Sequence, residues 1–382
     1  YKRQRENLRS VRNESVQMVM HHFFAEHQPL TNLYSKIFRK NQISSQSEED
    51  VACEDALLEQ FSTEEKDKKS IINTSKIGFE FDSIEDFLSV DSISNGIYCI
   101  KNACSLQHAS SSYPLFFRVR NASLNSPLAC SFHAAVRKES LNLPYFSPLL
   151  SVLNKAAMTI DFCDPLLYSG EVNVGWFTLQ KDDPISLISQ CIKHISSINS
   201  PTMKLITGNS SGGFACLRMS KIINDADYFI MNPQTNLLNY YSWAVENYAR
   251  CVSGLSELDI ESFFNKFQLE YKVEAESIIS NLKGKIYYFQ QLGDDMHVDS
   301  HLYPFLKPIL KSNFEEFSSF ISSKPSQFLN EKLYLHVGNW LIKKDQKKHF
   351  PPPRELIKDV LNSIVLNGRI DQLELNSYDT NL

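Results

Sequence analysis

Glycine is scarce in this sequence, at 12 of 382 residues, and proline supplies only 15. That composition excludes a collagen-like or low-complexity chain. The eight cysteines include no C-x-x-C pair and no Cys/His cluster at zinc-finger spacing. Most lie inside apolar runs, where a free thiol packs as a small hydrophobe, so reduced core cysteines in a reducing compartment are expected. No apolar run approaches the roughly 20 residues that cross a bilayer, and no h-region of a secretory signal is visible. A Walker loop is missing, as is a G-x-G-x-x-G opening a βαβ unit, so phosphoryl transfer and NAD chemistry have no motif behind them. Positive charge is not in excess either. Thirty-nine Lys and Arg against 44 Asp and Glu leave a formal charge of −5, which argues against broad electrostatic capture of nucleic acid.

What is present points to a folded chain. Hydrophobic residues make up 42%, with 25 Phe and 16 Tyr, too many for global disorder. The length suits one large domain with additions, or two smaller ones. Residues 1–40 carry eight Lys/Arg against three Glu, and residues 41–90 reverse this with 13 Asp/Glu against four Lys. VQMVMHHFF can form one apolar helix face, and NQISSQSEED reads as a polar linker. Residues 1–75 are therefore expected to form a helical extension and linker, and 76–382 the main domain. The basic extension either packs on that domain as a solvated helix or touches an anionic surface. A cytoplasmic protein, with peripheral contact at the inner face of the membrane or with assembly machinery, is the expectation.

From about residue 76 the pattern becomes regular. GFEFDSIEDFLSV and NGIYCI suggest a small αβ lead-in, with PLFFRVR as the first strand of the main sheet. Apolar runs (PLACSFHAAV, AAMTIDFC, MKLITG, DYFIMN, GKIYYFQQL, KLYLHVGNW) then alternate with helical patterns such as PISLISQCIKHISSI and RELIKDVLNSIVL. Strands apolar on both faces and separated by helices predict an α/β protein with a mostly parallel sheet covered on both sides. A helical insert is expected at about 236–283.

The sharpest signal is Gly208-Asn209-Ser210-Ser211-Gly212-Gly213, between the strand-like MKLIT and the helix-like FACLRMSKI. This is G-x-S-x-G in the strand-turn-helix context that a nucleophile elbow requires. Small neighbours let the chain turn sharply at Ser210, and the following helix directs its free N–H groups at any negative charge that develops. The competing reading is a Gly/Ser turn that starts a helix or binds an anion. An α/β-hydrolase supplies its partners in the order Ser, acid, His. GKIYYFQQL is followed by Gly293-Asp294-Asp295-Met296-His297, and KLYLHVGNW by a loop carrying His349. Ser210 is thus assigned as nucleophile, Asp294 (with Asp295 as competitor) as orienting acid and His349 as base. Ser131-Phe132-His133-Ala134-Ala135 ends another buried strand, so the Ala134 and Ser211 N–H groups are the expected oxyanion hole. His133, Trp176, Gln234, His297 and His301 are candidate substrate contacts, with Trp176 either stacking on a sugar ring or buried. His297 and His301 otherwise cap the local helix. A metal site from Asp294, His297 and His301 is a minor reading, and no metal is required. His336 reads as a core or edge residue within a strand.

With these residues placed, FHAA, Asp164-Pro165, Gly175-Trp176, GNSSGGFA, Asn232-Pro233-Gln234-Thr235, the Asp294/His297/His301 pattern and the terminal His349 recur in this order in a bacterial family. Over roughly residues 76–370 the chain resembles α/β-hydrolase-type proteins encoded with capsular and other surface-polysaccharide assembly genes. Serine-dependent polysaccharide O-acetyltransferases and accessory-secretion proteins are among that family's relatives. The resemblance implies the α/β-hydrolase fold, acetyl-CoA as acyl donor, a polysaccharide or sugar hydroxyl as acceptor, and no bound cofactor. An esterase or deacylase with the same three residues, or a non-catalytic assembly protein, are the alternatives. The sequence departs from the pattern in having FHAA where FHGA is expected, which bears on the oxyanion loop.

Overall fold

The computed structural model describes residues 77–106, 112–136, 142–153, 155–179, 182–255, 259–340, 349–370 and 373–379. The helical extension and linker expected over residues 1–75 lie outside the described residues. Ten strands form one sheet: β1 (Ile77–Phe81), β2 (Gly96–Ser105), β3 (Ser112–Arg120), β4 (Leu128–Phe132), β5 (Met158–Phe162), β6 (Lys204–Asn209), β7 (Asp227–Met231), β8 (Ile286–Gln291), β9 (Ser326–Phe328) and β10 (Leu333–Gly338). Their order is β1-β2-β3-β5-β4-β6-β7-β8-β10-β9. From β5 through β10 every neighbouring pair is parallel. β3 runs antiparallel to both its neighbours, and β9 is antiparallel to β10.

Every residue of β4, β5, β8 and β10 is buried, as expected for strands covered by helices on both faces. The covering helices include α1 (Ile84–Leu88), α2 (Pro184–Asn199), α3 (Ser211–Met219), α4 (Ser242–Ser253), α5 (Ile260–Lys266), α6 (Ala275–Asn281), α7 (Tyr303–Leu310), α8 (Phe314–Ser323) and α9 (Arg354–Asn367). On one side α9 sets Leu356, Val360 and Ile364 against Leu205, Phe229 and Phe289 of the sheet. This is the α/β-hydrolase fold. The expected lead-in is a correction in detail: β1 and β2 belong to the same sheet, so PLFFRVR is its third strand in sequence order. Period-two burial is blurred there because Tyr98, Cys99 and Ile100 of β2 are all buried. The seven described cysteines are all buried and in no disulfide. Among the described residues, no helix is long and apolar enough to cross a membrane.

The region between β7 and β8 holds α4, α5 and α6, and one buried cation ties it to α3. Arg218, on α3, donates to Glu270 Oε2 at 3.1 Å, to Asp183 Oδ1 at 3.1 Å and to the Phe177 carbonyl at 3.0 Å. A desolvated guanidinium is tolerable only with such partners. Arg218→Met is expected to lower unfolding free energy by about 3 kcal/mol, the low end for a broken buried pair, since both carboxylates can rehydrate. Urea unfolding would check this, and a loss below about 0.5 kcal/mol would contradict it.

Candidate active site

The turn from β6 into α3 brings Ser210 to φ +54° and ψ −116°, a conformation costly for a residue with a Cβ. Its neighbours make the turn possible by lacking side chains. A Cβ on Gly208 would stand 2.5 Å from the Gly212 carbonyl carbon, and one on Gly212 would stand 2.2 Å from the Phe132 carbonyl oxygen. Gly212 therefore lets the end of β4 touch the start of α3, which brings Ala134 and Ser211 to the same corner. Gly213 is also explained by packing, because its Cβ would meet Pro233 at 2.6 Å.

The three far-apart stretches meet here. His349 Nε2 lies 3.1 Å from Ser210 Oγ, and His349 Nδ1 lies 2.5 Å from Asp294 Oδ2. The hydroxyl donates to Nε2, and Nδ1–H donates to the carboxylate. Asp294, rather than Asp295, faces the imidazole; its other oxygen, Oδ1, accepts from the His297 backbone N–H at 3.2 Å. Asn232 fixes the His349 loop against the sheet: its amide donates to the Phe350 carbonyl at 2.9 Å, and its Oδ1 accepts from the Gln291 N–H at 2.7 Å.

His297 stacks on His349, with ring centres 3.9 Å apart and planes at 15°. Its Nδ1 approaches Asp294 Oδ2 at 2.9 Å, out of line for a hydrogen bond. Gln234 completes the group. Trp176 Nε1 can only donate and sits 3.3 Å from Gln234 Oε1, which turns the amide nitrogen toward Ser210 Oγ at 2.7 Å and His297 Nε2 at 3.3 Å. Ser210, His349, Asp294, His297 and Gln234 thus form a closed ring of polar contacts. Ser210 is 1% exposed and Gln234, His297 and Trp176 are 0% exposed.

Burial drives the Asp294 carboxyl upward, but the His297 and His349 imidazoles pull it down by more, so it stays well below the usual carboxylate range. Burial takes His297 down to about 4 against the attraction of Asp294, so its ring is neutral near pH 7. Asp294, His297 and His349 have potential ligand atoms within 4.8 Å of one another. Separations of 2.5 and 2.9 Å are shorter than the roughly 3.4 Å between ligands of a tetrahedral zinc ion. The 2.5 Å spacing suits a proton shared between Asp294 and His349 rather than an ion between them. His301 packs on His297, ring centres 4.9 Å apart, but brings no ligand atom into this cluster; its Nδ1 accepts from the Thr235 N–H at 3.2 Å.

Two of the expected substrate contacts are committed elsewhere. His133 Nδ1 donates to the Ala134 carbonyl at 2.7 Å, and its Nε2 accepts from the Asp164 N–H at 3.0 Å. The ring therefore holds the loop after β4. Trp176 presents no open face, being packed edge-on against Tyr240 and Tyr248. Its position depends on Asp164, whose buried carboxylate accepts from the Leu166 and Phe177 N–H groups at 3.0 and 2.9 Å. Gly175 is needed because a Cβ there would stand 2.8 Å from Asp164 Oδ2. Asp164 and Gly175-Trp176 thus build the support under Gln234, a link that no local sequence pattern announces.

No protein-family model and no curated protein matches the chain. Similar solved structures include the capsule O-acetyltransferase of Neisseria meningitidis serogroup A, at TM-score 0.40 and 15% identity, covering 69% of this chain and 98% of that one. LpqC, a poly(3-hydroxybutyrate) depolymerase from Bordetella parapertussis, matches at TM-score 0.40 and 11% identity over 77% and 97%. Est1E from Butyrivibrio proteoclasticus matches at 0.37 and 12% over 66% and 95%. The α/β-hydrolase fold of the chain rests on its own strand order and on the sharp turn at Ser210 between β6 and α3. A serine hydroxyl, imidazole and carboxylate in series are the apparatus for acyl transfer or ester hydrolysis.

Proposed function

We propose that the protein is a serine-dependent O-acyltransferase that moves an acetyl group to a hydroxyl of a bacterial capsular or surface polysaccharide. The observation that carries the acyl-transfer reading is the buried series Ser210–His349–Asp294. His349 takes the Ser210 proton as Oγ attacks the acyl carbonyl, while Asp294 holds the imidazole tautomer and the resulting cation. The Ser211 and Ala134 N–H groups hold the oxyanion. The leaving thiol departs with the proton from His349. A sugar hydroxyl then attacks the acyl-serine and gives its proton to His349; the acyl–Oγ bond breaks, Oγ takes that proton back, and the sugar leaves as an ester.

Transfer rather than hydrolysis is favoured by the packing around the nucleophile. The β7–β8 region sets Tyr240 and Tyr248 against Trp176, and Trp176 against Gln234, an aromatic wall of the kind that would limit the access of water to an acyl-serine. Acetyl-CoA as donor substrate and a polysaccharide acceptor follow from the sequence resemblance. A peripheral membrane or assembly contact would belong to the basic N-terminal segment. The test is to incubate the protein with acetyl-labelled acetyl-CoA and de-O-acetylated capsule polymer. Label is expected on the polymer; acetate released at a rate indifferent to acceptor would make the protein an esterase.

A further inference from the structure

A serine hydrolase needs Ser, His and acid, yet here two further buried polar side chains close a ring on them. Both N–H bonds of the Gln234 amide are committed, one to Ser210 Oγ and one to His297 Nε2. Its carbonyl is fixed by Trp176, its backbone N–H donates to the Ser210 carbonyl at 3.3 Å, and Pro233 is wedged against Gly213. The donor cannot swing away without dismantling these contacts. His297 is held in turn by its stack on His349. Neutral, it offers Nε2 as the lone pair that one amide N–H requires.

We propose that Gln234, set in place by His297, is a hydrogen-bond donor to Ser210 Oγ in its role as leaving group, and that it drives the second half of the reaction. This rests on the acyl-serine reading above. A serine hydroxyl or alkoxide oxygen is a good acceptor, whereas the bridging oxygen of an ester is a poor one. A donor fixed at 2.7 Å therefore favours free serine over acyl-serine. In the second half-reaction the acceptor oxygen bonds to the acyl carbon and its proton passes to His349 Nε2. The C–Oγ bond then breaks, its electron pair goes to Oγ, and His349 returns the proton there. Negative charge grows on Oγ as that bond lengthens, and the Gln234 N–H meets it without reorganisation. His297 acts through Gln234 as a positioning residue.

The experiment uses p-nitrophenyl acetate, so that it does not depend on the natural donor, with acetylation and deacetylation of Ser210 followed separately by rapid mixing and peptide mass spectrometry. Gln234→Met keeps volume and removes the donor. It is expected to slow decay of the acetyl-enzyme by about 10- to 100-fold, the worth of one hydrogen bond to a developing charge, and to slow acetylation far less. Acetyl-enzyme then accumulates to nearly one equivalent. His297→Phe keeps a ring against His349 but frees the amide. It is expected to give the same split, and the double variant should be no slower than either single one. Equal slowing of both half-reactions, or decay within threefold of the parent in either folded variant, would overturn the assignment. If the parent never carries acetyl on Ser210, the acyl-serine reading fails and this one with it.

Discussion

Replacing Asp294 by Asn is expected to lower turnover about ten-thousandfold, and replacing Ser210 by Ala about a millionfold, while both proteins stay folded. The asparagine is nearly isosteric, and its carbonyl oxygen can still cap the His297 N–H. What it loses is the charge that accepts from His349 Nδ1–H and, in the proposed mechanism, balances the imidazolium formed during attack. Presented with an amide nitrogen, the ring adopts the other tautomer, and the nitrogen facing Ser210 then carries a proton it should be accepting. Steady-state kinetics with a thermal melt on the same samples would check both variants. An Asp294→Asn protein within tenfold of the parent would show that the base is oriented by something else. In that case His297, already beside the same carboxylate oxygen, is the residue to examine.

The sheet could be read from the chain because its strands are apolar on both faces, and the nucleophile turn because glycine must stand wherever backbones touch. Gly208 and Gly212 are such positions, and the clash distances at each show why. Asp294 and His349 are reached from the sequence through the order of strands rather than through any local motif. The edges were less legible: β9 spans three residues, too short for a period to register. The ring around Ser210 was legible only as a list of polar residues. Gln234 reads equally as a substrate contact or as part of a strand-ending turn, because sequence does not say where an amide points. Its orientation is decided by Trp176, 58 residues away. Arg218 carries no local signal of burial, yet it is buried among partners 35 to 52 residues distant. Long-range polar pairing of this kind leaves no periodic trace.

Acidification should destabilise this protein before most of its carboxylates protonate, because of its histidines. Burial brings His133, His297 and His336 down to about 4, and His301 well below its ordinary value. In the unfolded chain each titrates near 6.5. A group whose folded pKa is depressed contributes stability that is complete above the unfolded pKa and is lost as pH falls toward the folded one. Between pH 6.5 and 4 the unfolded chain therefore takes up protons that the native state refuses. Asp164 works in the opposite direction, since burial outweighs its backbone N–H donors and raises it to about 6, so it favours the folded state as pH drops over part of the same window. With four imidazoles against one carboxyl, stability is expected to fall by roughly 4 kcal/mol per pH unit around pH 5. The melting temperature should drop by about ten degrees or more between pH 7.5 and pH 5. His336→Phe offers a control on a different strand from the one that leads to the nucleophile, since among the described residues its Nε2 has no partner and its Nδ1 meets only Ser326. That substitution should remove about one proton from the uptake measured by urea unfolding at several pH values. A melting temperature flat from pH 7.5 to pH 5 would mean that these rings are not buried neutral in the native state, and the neutral His297 on which Gln234 depends would fall with them.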